Sequence, residues 1–197
     1  MTAAAYELLE FWFGPPGTAA LAESTKWWKK DAAFDAEIKT RFGSAHELAA
    51  AGKLDAWKAT PRGRLALVIL LDQFSRSIHR NEPRAFAQDA RARDLTLEAL
   101  DSGEDRQLEP IERCFLYMPL MHSEDSDLQR KCIAAFAVLA DKAPPDLTKY
   151  VANNLDYAKK HAEIIERFGR FPHRNDVLGR DSTSEEIAFL KEPGSSF

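Results

Sequence analysis

The chain has 197 residues, 45% hydrophobic and 29% charged, with a formal net charge of −4. That composition excludes a disordered chain, and that length buries a sizeable core without disulfide or metal staples. The mildly acidic balance excludes a general affinity for nucleic acid or anionic membranes, so any attraction for anions must be local.

In chain order, Ala4 to Trp12 reads as a helix with Leu8, Leu9, Trp12 and Phe13 on one face, ended by Gly14, Pro15, Pro16 and Gly17. It has no basic region before its apolar run, so it does not read as a signal peptide. Trp27 and Trp28 are adjacent, so on a helix they face different surfaces. Phe34, Ile38 and Phe42 recur at four-residue spacing, which predicts a helix ended by Gly43, then a short helix from His46 ended by Gly52.

Thr60 followed by Pro61 is a helix start: an N-cap and a proline in the first turn. The segment 61–78 contains LALVILL, which on its own also suits a buried strand. The start signal and the spacing of Leu67, Leu70, Leu71, Phe74 and Ile78 decide for a central helix, apolar all round in its first half. Its second half adds Asp72, Arg76, His79 and Arg80, read as lying on one side.

Pro83 predicts a helix to about Leu100, and Pro110 another, which Pro119 kinks or ends. Ser126 with Gln129 reads as a capping box for a helix to Ala140. A long helix follows from about Asp146 to Phe168, and Ser182 with Glu185 reads as the cap of a last short helix. Cys114 and Cys132 each sit in an apolar helical pattern and read as buried thiols of a reducing compartment. No apolar run approaches the roughly 20 residues of a membrane span, so a cytoplasmic location is expected. With no convincing strand pattern, no fixed repeat and no long linker, the expectation is all-α. It is a single domain, 1–197, of about seven to nine helices in stacked antiparallel pairs, with a defined loop, 169–182, closing on the helix 61–78.

Arginine distribution points to where chemistry could sit. Arg76, Arg80, Arg84, Arg91 and Arg93 fall in one stretch, and Arg167, Arg170, Arg174 and Arg180 in another, with no lysine in either. Arginine alone suits planar, bidentate, partly buried pairing that an ammonium does not supply. One reading is internal pairing with carboxylates such as Asp72, Glu82, Asp89, Glu163, Glu166 and Asp176, which staples the C-terminal loop in place. The other is convergence on a carboxylate or phosphate ligand, with Arg76, Arg80, Arg170 and Arg174 holding it, Asn175 orienting it and Asp72 among the lining groups. His173, beside Arg174, and His79, at the end of the central helix, are the candidates for acid/base work; either also suits a structural role. His161 reads as a satisfied core histidine, and His122 stands close to Glu124 and Asp125. No histidine pair has metal-binding spacing, no cysteine cluster helps, and no phosphate loop or nucleophile elbow is present. No metal or cofactor is therefore expected. A set assembled from His79, His161 and His173 is a minor alternative.

The motifs LLDQFSRSIHR, PRAFAQD, FLYMPLMHSED and RFGRFPHRNDVLGRDSTSEE, in that order, resemble one bacterial family, the nine-hundred-and-twenty-fourth of the domains of unknown function. The resemblance covers nearly the whole chain. It implies an all-helical fold similar to tetratricopeptide-repeat proteins and carries over no catalytic residue. Ser77 departs from it, standing where the family has asparagine after LLDQFxR. The function expected is binding of an anionic small molecule or peptide carboxylate in an Arg/His-lined pocket. The alternatives are an enzyme acting on an anionic substrate through His173 or His79, and a structural or interaction protein whose charged network only locks the fold. Neither nucleic acid nor membrane is expected as a partner, and the sequence leaves the oligomeric state open.

Overall fold

The structure is a computed structural model, described for residues 2–195. It is all-α, with no strand among the described residues. Helix α1 spans Ala3–Phe13, its start capped by the Thr2 hydroxyl, which accepts from the Ala5 N–H. The short α2, Ser24–Trp28, buries Trp27, whose indole N–H donates to the Trp12 carbonyl at 2.9 Å, and leaves Trp28 exposed.

Helix α3 is one element, Ala32–Ala50, and runs through Gly43, where the sequence had suggested a stop. Ile38, Phe42, His46 and Ala49 keep one buried stripe across the glycine. Their burial outweighs the roughly 1 kcal/mol that glycine costs in a helix interior. Gly52, with φ +77°, makes the turn instead.

The central segment is helical from Pro61 to Ile78, and Leu65 to Leu71 are all at or below 1% exposure, so burial on every side is met by a helix and not by a strand. It is not uniform. Helix α4, Pro61–Val68, passes into a π-helical turn, Ile69–Phe74, and then into α5, Ser75–Ile78. Thr60 caps α4 by accepting from the Gly63 N–H at 3.2 Å.

Pro83 opens a 3-10 turn, Pro83–Phe86, and α6 itself is Asp89–Ser102. Helix α7, Pro110–Met121, holds Pro119 inside it and stops two residues later. Helix α8, Ser126–Asp141, is capped by Asp125 in place of Ser126. Gln129 is no capping partner; its amide donates to the carbonyls of Met121 and Ser123 and so fastens the α7–α8 corner. Helix α9 is Thr148–Phe168, closed by Gly169 at φ +69°. Helix α10, Ser184–Phe189, starts from a Thr183–Glu186 capping box, one residue later than the sequence pattern suggested.

Helices α1, α3, α6 and α7 pack around the central segment, while α8 and α9 pack on each other and on α7. The core includes an aromatic nest in which Phe115 meets Trp12, Phe13 and Trp27 edge-on, with ring centroids 5.5, 5.4 and 4.8 Å away. A smaller cluster, Ile164, Ile165 and Phe171 with Phe168 and Phe189, seats the C-terminal loop against α9 and α10. Both cysteines are buried free thiols. No helix of the described residues is long and apolar enough to cross a membrane.

Gly63 permits the close approach of α4 to the turn before it. A Cβ there would meet the Trp57 carbonyl oxygen at 2.1 Å, and backbone has little room to yield. Alanine at a helix position usually gains about 1 kcal/mol over glycine. Gly63→Ala is expected to reverse that sign and lower the unfolding free energy by on the order of 2 kcal/mol or more. Urea unfolding checks it; an unchanged or raised midpoint would refute the close approach.

Candidate functional site

Asp72 lies in the π-helical turn and is completely buried. Its carboxylate accepts from His122 Nδ1 at 2.8 Å and from Gln73 Nε2 at 2.6 Å, and Arg76 Nη1 stands 3.2 Å away. Burial alone would raise this carboxyl's pKa; Arg76 and His122 overcome that and hold it well below the usual carboxylate range. Because an ionised carboxylate only accepts, the His122 proton sits on Nδ1. Burial keeps that imidazole neutral, with Nε2 as its acceptor.

Arg76 passes the charge outward. Its guanidinium forks onto Asp89 at 3.1 and 3.2 Å and donates to the Asp72 carbonyl at 2.7 Å. Asp89 also accepts from Arg174 Nη1 at 3.2 Å, and Arg174 Nη2 donates to the His122 carbonyl at 3.0 Å. Two arginines thus share one carboxylate, and the C-terminal loop reaches the central helix through it.

A cavity of about 340 Å³ opens beside this network, walled in part by Phe86, Asp89, Arg93, His122, Glu124 and Arg174. Arg174 is 6% exposed, and its guanidinium lies 4.7 Å from the Phe86 ring and 4.6 Å from that of Phe171. Its Nε has no hydrogen-bond partner among the described residues. Burial first, then the neighbouring Arg76, pushes this guanidinium down to about 10. Glu124 closes the far side, gripped by Arg180 at 2.7 and 3.0 Å and by the Phe171 N–H at 2.8 Å.

Of the residues singled out in the sequence, Asp72, Arg76 and Arg174 meet here. Arg80 does not; it forks onto Asp35 of α3 at 2.6 and 2.8 Å. Arg170 binds Glu186 at 2.6 and 2.8 Å and the Asp181 carbonyl, tying the loop to the start of α10. Asn175 is buried and donates to Ser182 Oγ at 3.0 Å, across the same loop. His173 packs against Phe171 within the loop, and burial pushes it down to about 4. His79 points to a different neighbourhood, its ring 5.4 Å from that of His46 and beside Glu47. His122, Gln73, Glu124 and His46 were not among the candidates. His122 stands fifty residues from Asp72, and no spacing rule links residues so far apart.

The sequence profile of the family described as "Bacterial protein of unknown function (DUF924)" matches residues 8–194. A solved structure of a protein of unknown function from Agrobacterium tumefaciens, ATU0120, is similar to this one. Its TM-score is 0.81 and its sequence identity 36%, over 96% of this chain and 97% of that one. No curated protein matches the sequence.

Buried neutral imidazoles give stability a definite pH dependence. Burial pushes His161 down to about 3 and His173 down to about 4, against about 6.5 in an unfolded chain. Below about pH 6.5 the unfolded chain binds protons that the folded one refuses, so their contribution is whole above that pH and is lost as pH falls towards the folded values. The expected loss is about 1.4 kcal/mol per pH unit for the well-buried His161. His161→Gln should flatten the slope of unfolding free energy between about pH 6.5 and about pH 4.5; parallel slopes for variant and parent would contradict this account.

Proposed function

The chain belongs to the bacterial DUF924 family, whose description assigns no activity, and we propose that this member binds the anionic group of a small ligand in the cavity at Arg174. The carrying observation is the Arg174 guanidinium: buried, its Nε without a partner among the described residues, and its charge disfavoured by burial and by Arg76. A carboxylate or phosphate entering the cavity supplies negative charge beside a guanidinium whose own carboxylate, Asp89, is shared with Arg76. Arg93, whose guanidinium also meets Asp94 at 3.1 Å, lines the cavity as a second cation. The volume, about 340 Å³, lies at the lower end of small-molecule sites and suits a small carboxylate, a phosphate ester or a peptide C-terminus. Successive packing of α6 on α7, α7 on α8 and α8 on α9 supports reading the scaffold as TPR-like.

A second reading, an enzyme acting on the bound anion, is favoured by the Asp72–His122 bond at 2.8 Å. A buried carboxylate that fixes an imidazole tautomer on a cavity wall is the arrangement a general base requires. In this reading His122 takes the proton, in place of His173 or His79.

Inorganic phosphate, succinate and a short peptide with a free C-terminus, each tested in a thermal-shift titration, give the check. At least one is expected to raise Tm in proportion to ln(1 + [L]/Kd). Arg174→Gln should weaken that binding at least about ten-fold, near 1.4 kcal/mol. Arg93→Gln, at a half-exposed side chain, should weaken it less and leave unliganded stability unchanged. No stabilisation by any of the three, or equal stabilisation of parent and Arg174→Gln, overturns the proposal.

A further inference from the structure

Helices α3 and α5 bring together a second set of side chains. His46 and Glu47 are neighbours on α3, and His79 follows the last turn of α5. Each offers one atom able to ligate a metal, and these atoms all lie within 4.8 Å of one another. His46 and His79 are 3% and 6% exposed, while Glu47 is exposed.

The hydrogen bonds assign the lone pairs. Ser75 Oγ donates to the Leu71 carbonyl at 2.7 Å, so towards His46 it acts as acceptor. His46 Nε2, 2.8 Å from that oxygen, therefore carries the ring proton. Its Nδ1 is left as a bare lone pair, buried and with no hydrogen-bond partner among the described residues. At His79 no hydrogen bond fixes the ring proton, but the Glu82 carboxylate favours it on the near nitrogen. Nδ1 stands 3.7 Å from the Glu82 carboxylate, and the buried Nε2 has no partner among the described residues. Two buried ring nitrogens without hydrogen-bond partners among the described residues, on imidazoles that stand beside one carboxylate, are what a metal-ligand set offers.

We propose that His46, Glu47 and His79 bind one divalent transition-metal ion. Two imidazoles and one carboxylate favour Zn²⁺, Co²⁺, Ni²⁺ or Fe²⁺ over Mg²⁺ and Ca²⁺, which take oxygen ligands. Ligands at about 2.1 Å from a common ion stand roughly 3 to 3.5 Å apart, so the widest separation in the set, up to 4.8 Å, must close by up to roughly 1.3 to 1.8 Å, in which the exposed Glu47 side chain can take part. The surrounding contacts are those a metal site uses to fix its ligands. Ser75 holds His46, Arg84 grips Glu47 at 2.7 Å, and Glu82 faces the outer nitrogen of His79. With three protein ligands the ion keeps open positions, as in sites that bind water or substrate. This site is separate from the cavity at Arg174 and stands without the reading given to it.

The test is calorimetric titration of the full-length, chelator-treated protein with ZnCl₂, and with CoCl₂ followed by its visible absorption. One ion per chain is expected. His79→Gln should weaken binding by on the order of 100-fold and Glu47→Gln by at least about ten-fold. The Co²⁺ bands should fade in the same two variants. Glu47 is exposed, so its variant keeps the fold, which circular dichroism checks. His122→Gln, at the other histidine-bearing site, should bind Zn²⁺ like the parent. Absence of one-to-one binding overturns the proposal. So does binding indifferent to Glu47→Gln and His79→Gln, or binding lost instead in His122→Gln.

Discussion

A carboxylate with no access to water must be paired in place, because an unpaired buried charge costs several kcal/mol. Asp72 is such a group, set in the most enclosed helix of the molecule. Its neighbours answer that demand in sequence. His122 and Gln73 donate to it, Arg76 supplies the positive charge, Asp89 balances Arg76, and Arg174 shares Asp89. The elements these residues occupy are thereby fixed relative to one another: the π-helical turn, the end of α7, the start of α6 and the C-terminal loop. Removing Asp72 would leave Arg76 and Arg174 to share the single carboxylate of Asp89, and the strain would pass along the same series.

This explains why the two stretches hold arginine and no lysine. Arg76 on Asp89, Arg80 on Asp35, Arg170 on Glu186 and Arg180 on Glu124 are each two-point forks between a planar cation and a planar anion. An ammonium would make one bond where each fork makes two and would leave the register free to slip. The clasp and the cavity are therefore not rival descriptions. Most arginines here satisfy carboxylates of the chain, and the loop they fasten is the wall that carries Arg174. What marks Arg174 out is that two conditions meet in it: its Asp89 is shared with Arg76, and its Nε, like that of Arg180, has no partner among the described residues.

The sequence was most legible where a residue acts on its own neighbours. Thr60 before Pro61 and the end of the long helix at Phe168 are set within one or two turns, and each is where the pattern put it. It was less legible where tertiary burial overrides a local signal. Gly43 is a plausible stop until Ile38, Phe42, His46 and Ala49 are seen on one buried face. Gln129 is a plausible cap until its amide is drawn to the end of α7. The sites were legible only in part, for a related reason. The arginine-only composition marked the stretches that carry Arg76 and Arg174, but Asp72 with His122 and His46 with His79 are contacts between distant parts of the chain.

The π-helical turn shows how one reading of spacing goes astray. Asp72, Arg76, His79 and Arg80 look like one charged side of a regular helix. Successive residues of a helix are turned by about 100°, so Ser75 and Arg76 face different ways. Ser75 turns to His46, and His79, four residues on, follows it; Arg76 turns to Asp89, and Asp72, four residues back, lies beneath it. Arg80 belongs to neither stripe, because α5 ends at Ile78 and the chain leaves helical geometry at His79, with φ −119° and ψ 34°, which turns Arg80 to Asp35. The last two turns of the central helix therefore carry two charged stripes. One feeds the cavity at Arg174 and the other brings His79 to His46 on α3. Its apolar first half is the anchor that holds both in fixed relation.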